Sequence, residues 1–133
     1  MAKQSITMLT STAGQLNVTS QAVKAPGFYG YTSGLSTIAW YMGDLIGRVY
    51  VEASLATNPT ESDWFQLPLT NTTAYKQYPL NPFYPTGTTG DTGIDYFTFS
   101  GNFVWLRFRL DRTYLVLPSI TDDGIISKVY LNY

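Results

Sequence analysis

The segment GRVYVEASLATNPTESDWFQLPL, Gly47 to Leu69, reads as strand, turn, strand. From Arg48 to Ala56, Val49, Val51, Ala53 and Leu55 alternate with Arg48, Tyr50, Glu52 and Ser54. A period of two places successive side chains on opposite faces, the pattern of a half-buried strand. TNPTESD then gathers residues that pre-set turn dihedrals or hydrogen-bond their own backbone, and Trp64 and Phe65 open a new apolar run. The two runs are expected to be neighbours in one sheet. The turn offers one helical turn at most, with Thr60 as its cap.

Outward from this segment the same grammar repeats. Gln4–Leu9 and Gln15–Thr19 are candidate strands, with Val23 extending the second. APGFYGYTSG is a loop carrying large rings. Leu35–Met42 is a strand whose apolar face holds Ile38, Trp40 and Met42. Tyr75–Tyr78 is a brief edge, and Pro79, Pro82 and Pro85 exclude a central strand after it. Ile94–Phe99 resumes the sheet. Phe103–Leu110 alternates, with Val104, Leu106, Phe108 and Leu110 inward and Phe103, Trp105, Arg107 and Arg109 outward. Tyr114–Leu117 is short, and in Ile125–Tyr133 the residues Ile125, Val129 and Leu131 alternate with Lys128, Tyr130 and Asn132. Eight or nine short strands at near-regular spacing, with no sustained helical period, predict an all-β chain: an antiparallel, jelly-roll-like β-sandwich. The 133 residues fit one domain, 1–133, in which 1–34 form an extended arm or edge strands.

Composition narrows the chemistry. Charged residues make up 13% against about 25% in ordinary soluble domains, so Ser, Thr, Asn, Gln and Tyr must cover the surface. The net charge of −1 and the lack of any basic run leave nothing to drive phosphate-backbone binding, so nucleic acid is not an expected partner. No segment approaches a membrane span or a signal peptide, and synthesis in the cytoplasm is the default expectation. The chain has no histidine and no cysteine, which removes the usual general base, the usual nucleophile and the usual zinc ligands.

Carboxylates remain. Asp44, Asp63, Asp91, Asp95 and Asp111 sit in turns or at strand ends, where Asp serves local hydrogen bonding. Glu52 falls on the solvent face of its strand beside Arg48, and an ion pair is the role expected for it. Asp122 with Asp123, and Asp91 with Asp95, lack the spaced ligands of a calcium loop. TGTTGDTG lacks the Lys and the helix of a phosphate loop. No enzyme, cofactor or metal is expected.

What exceeds an ordinary composition is outward aromatic content. Tyr50, Phe103, Trp105 and Tyr130 fall on the polar faces of their strands, and Phe83 and Tyr84 lie in the long Pro/Gly/Thr loop. Exposed rings mark contact surfaces. They serve protein neighbours, or stack sugars through Trp105, Tyr50 or the Phe83/Tyr84 loop, unless a loop such as APGFYGY covers them within the chain.

GRVYVEASLATNPTESDWFQL, followed by GNFVWLRFRLDR and the terminal DGIISKVYLNY, is similar to short structural proteins of tailed bacteriophages, including those of marine and cyanobacterial hosts. The resemblance covers roughly the C-terminal two thirds. It implies a virion component with a jelly-roll-like fold, a capsid decoration, neck or tail/baseplate protein, and transfers no catalytic residue. The implied partners are other virion proteins and identical copies, in a homo-oligomer. A carbohydrate-binding module is the alternative.

Overall fold

The computed structural model describes residues 5–30, 34–78, 90–116, 118–120 and 122–133. Two antiparallel sheets face one another. The first runs in the order β1 (Ser5–Leu9), β10 (Ile125–Asn132), β4 (Leu35–Leu45), β8 (Asp91–Ser100). At the centre of the second lie β9 (Trp105–Asp111) and β5 (Gly47–Ser54); β2 (Val18–Thr19) and β3 (Val23–Lys24) pair with the far side of β9, and β6 (Phe65–Gln66) and β7 (Tyr75–Tyr78) with the far side of β5. Counting β2/β3 and β6/β7 as two interrupted strands gives eight, four to a sheet. The chain changes sheet at every connection except that from β5 to β6/β7, which is the double Greek-key winding of a jelly roll.

The alternation read from the sequence places the core. Val49, Val51 and Ala53 of β5 meet Leu106, Phe108 and Leu110 of β9 on the inner face of the second sheet. Ile38 and Trp40 of β4, with Ile126, Val129 and Leu131 of β10, close over them from the first sheet. The rings of Trp40 and Phe108 are 5.5 Å apart between centroids. Each large apolar side chain so buried contributes about 1.5–3 kcal/mol.

Gly47–Leu69 does form neighbouring strands, with Glu52 opposite Gln66 and Ala53 opposite Phe65. Between them Glu61–Asp63 makes one 3-10 turn, capped by Thr60 and Asp63 in a reciprocal box. Leu55 falls beyond the strand end and is exposed. Pro26–Tyr29 forms a second 3-10 turn, in which a side chain at Gly27 would collide with the backbone of Asn102 and Phe103.

Other boundaries differ from the sequence reading. Gln15–Thr19 shrinks to Val18–Thr19. Phe103 and Val104 precede β9; their carbonyls accept from the 3-10 turn and the residue before it, Gly27 N–H donating to Phe103 O and Ala25 N–H to Val104 O at 2.9 Å each, while Val104 N–H donates to Ser54 O of β5 at 3.0 Å. No strand forms over Tyr114–Val116, where Leu115 N–H closes a turn onto Arg112 O. In β10 it is Ile126, not Ile125, that is fully buried. A bulge between Ile126 and Lys128 inserts one residue, so three steps rather than an even number separate inward Ile126 from inward Val129.

Candidate contact surface

The outer face of the second sheet is built from the outward residues of β5 and β9. Antiparallel pairing sets Arg48 opposite Asp111, Tyr50 opposite Arg109 and Glu52 opposite Arg107. Glu52, expected on the solvent face beside Arg48, is instead 6% exposed. Its two oxygens accept from Arg107 Nε at 2.7 Å and Arg109 Nε at 3.2 Å. Arg107 also stacks on Trp64 at 4.3 Å and reaches Glu61. Arg48 donates to Gln77 and lies over the Tyr75 and Tyr114 rings. Charge on this face is compensated within the chain, and planar guanidinium groups roof it.

That roof covers one of the rings named from the sequence. Tyr50 lies on the outer face as expected but is only 8% exposed, between Arg109 at 4.0 Å and the Tyr75 ring at 5.6 Å. Trp105 is half-buried, its indole N–H donating to Thr57 O at 3.1 Å and its ring meeting Phe28 edge-on. Phe103 does not point outward; it packs against the core beside Phe65 and Phe99. Phe83 and Tyr84 lie outside the described residues, as does most of the Pro/Gly/Thr loop. The four of these rings that are described, Tyr50, Phe103, Trp105 and Tyr130, therefore form no common patch.

Several of the carboxylates are likewise engaged. Asp63 caps Thr60. Asp111 accepts from Thr113 N–H and pairs with Arg109. Asp123 accepts from Ser119 N–H. Asp95 points inward from β8, accepting from the Tyr78 hydroxyl at 2.6 Å and from Lys76. Tyr78 in turn accepts from Trp40 Nε1 at 2.9 Å, so this chain of bonds ties the edge strands β7 and β8 together across the sandwich. Burial pushes the Asp95 carboxyl up, but the hydrogen bonds from Tyr78 and Tyr96 N–H, with the Lys76 ammonium, outweigh it and hold the group below the usual carboxylate range. Burial first, then Asp95, drives the Tyr78 hydroxyl far above its ordinary value. Among the described residues no three acidic side chains gather as a metal site, and no helix is long and apolar enough to cross a membrane.

The surface that remains open is the outer face of the first sheet, where Tyr130 lies. Cross-strand pairing lays it out in rows: Asn132, Thr37, Thr98; then Tyr130, Ala39, Tyr96; then Lys128, Tyr41, Ile94. Tyr96 is 63% exposed and Ile94 60%. Tyr41 and Tyr130 meet edge-on at 5.7 Å, and the Lys128 ammonium sits over the Tyr41 ring at 4.5 Å. Thr37 and Thr98 share a hydrogen bond of 2.9 Å between hydroxyls. Lys128 is the one charge among these outward residues.

Sequence reasoning missed Tyr41, Ile94 and Tyr96. The signal was present: IDYFTF carries apolar residues at both parities, and the odd positions of LSTIAWY, Leu35, Thr37, Ala39 and Tyr41, bear no charge. Comparison of the chain with family models, curated proteins and solved structures finds no match.

Proposed function

We propose that this chain is a non-enzymatic structural protein of a virus particle of the tailed-phage type, a capsid decoration, neck or tail/baseplate component, working through protein contacts of its first sheet. The observation that carries this reading is that sheet's outer face, among the described residues a field of tyrosine, threonine and isoleucine with a single cation, left open while the second sheet's face is roofed by its own arginines. Large exposed apolar patches with a polar surround are contact surfaces. Jelly rolls are a recurrent solution for capsid domains, which pack sheet faces and loops against neighbours. On this reading the protein is made in the host cytoplasm and resides in the virion.

The test is co-sedimentation of the purified chain with tailed-phage particles, followed by cross-linking to their capsid and tail proteins. Retention on particles that is lost in Tyr96→Lys supports the reading; a chain that joins no particle contradicts it.

Carbohydrate binding is the second reading, since jelly rolls also serve lectins. The rings it relied on among the described residues are engaged, Tyr50 beneath Arg109 and Trp105 through its N–H. A glycan array decides it: binding that survives Trp105→Ala and Tyr50→Ala, or no binding at all, removes those residues from that role.

A further inference from the structure

The relief of the open face is self-complementary, and we infer that it pairs with the same face of a second copy across a two-fold axis lying in the interface and passing between the rows of Ala39 and Tyr41. This inference rests on the reading of that face as a protein contact and names the occupant. In one row Ala39 is a trough between the Tyr130 and Tyr96 ridges; in the next Tyr41 is a ridge between Lys128 and Ile94. A two-fold at that position reverses strand direction and keeps lateral order, so each row meets the other. Tyr41 then enters the partner copy's trough at Ala39, Ile94 meets the other copy's Tyr96, and Lys128 meets the other copy's Tyr130. Every contact occurs twice, as a closed isologous interface requires.

The chemistry of each contact is favourable. A ring fills a site floored by a methyl group, an aliphatic side chain meets an aromatic one, and Lys128, already over Tyr41 and 5.3 Å from the Tyr130 centroid, gains the partner copy's ring as a third aromatic face. No anion is desolvated without a partner by these contacts, because the outward residues named in them carry none. Four strands at their usual spacing, about eight residues long, make a face of about 500 Å² in projection. With side-chain relief this comes close to the about 600 Å² per partner at the lower bound of specific interfaces. Stacked sheets sit about 10 Å apart, the depth that interdigitated tyrosines fill.

Sedimentation equilibrium over a range from low to several hundred micromolar tests the pairing on the full chain. The wild-type chain is expected to reach twice its monomer mass. Ala39→Arg, which fills the trough with a charge, and Tyr41→Ser, which removes the ridge, should each weaken association at least ten-fold. Gln66→Lys on the exposed edge of the second sheet should leave it unchanged. Circular dichroism and a melting curve for each variant confirm that the sandwich is retained, as outward positions lead one to expect. A monomer at every concentration, a dimer indifferent to both first-sheet variants, or one weakened equally by Gln66→Lys overturns the pairing. A dimer that responds as stated but joins no phage particle supports the pairing and counts against the virion reading alone; a monomer that joins particles does the reverse.

Discussion

Arg112 is 1% exposed and holds together one end of the sandwich. Its Nε donates to Ile46 O at 2.8 Å, Nη1 to Gln15 O at 3.1 Å, and Nη2 to Asp123 O and Gly124 O at 2.8 and 2.7 Å. Three separate connections thus converge on one guanidinium, whose rigid fork of donors a lysine cannot copy. Buried acceptors left without a donor cost roughly 1–3 kcal/mol each, so Arg112→Met should lower stability by about 3 kcal/mol or more, and Arg112→Lys by less. Urea midpoints measure both. At the other group of buried polar residues the readout is pH. The folded Asp95 carboxyl titrates below its unfolded counterpart, so its contribution is present above the ordinary carboxylate pKa of about 4 and is lost as pH falls through the folded value. Unfolding followed from pH 6 to pH 2 should show stability falling below about pH 4, and Asp95→Asn should flatten part of that slope. A slope unchanged in the variant would place the acid sensitivity elsewhere, with Asp111, also held below the usual range, as the next group. Tyr78→Phe should cost about 1–3 kcal/mol, since Trp40 Nε1 then loses its acceptor and Asp95 a donor.

Strands β5 and β9 were the most legible elements, because an unbroken period of two says which side chains face the core. What the period omits is the partner. Read along β5 alone, Glu52 is nearest Arg48 on the same face; once β9 lies antiparallel beside it, Glu52 faces Arg107 and Arg109 and is covered by them. The sequence RFRLD does mirror RVYVE with charges opposed, so the pairing was written in the chain but needed the strand order to be read. Glu52→Gln should lower stability by about 2–3 kcal/mol, leaving two arginines without their carboxylate beneath the roof, while Glu61→Gln, at an exposed carboxylate, should change it by less than about 0.5 kcal/mol. Equal effects in denaturant titrations would contradict the buried role assigned to Glu52. The bulge in β10 was not legible, because ISKV fits either phase and only the packing of Ile126 into the core between the sheets selects one. The limits of β2 and β3 were equally hidden, since each exists only through a partner distant in sequence, as Val18 with Leu110.

At the scale of the molecule, alternation and turn spacing already implied two packed sheets, and the winding follows from where each strand finds its partner. The first and last strands pair, Ser5 opposite Asn132, and few neighbours in space are neighbours in sequence. Folding is therefore expected in the millisecond-to-second range typical of such topologies, a prediction that stopped-flow refolding checks. The contact surface was only partly legible. Tyr130 was named, but of the rings expected to stand outward, Tyr50 is covered by Arg109, and Trp105 is met by Phe28 of the APGFYGY loop that the sequence offered as a cover. Ile94 and Tyr96 are open because β8 lays apolar residues on both of its faces. The fold thus presents two unlike outer faces, one closed by its own charges and one nearly free of charge. Hydroxyl-radical footprinting with residue-level mass spectrometry, comparing dilute chain with concentrated or particle-bound chain, tests that division most directly. Protection of Tyr96, Ile94 and Tyr41, with Tyr29 and Phe65 at the end of the sandwich unchanged, is the predicted result; protection of the end residues with Tyr96 still fully reactive would contradict it.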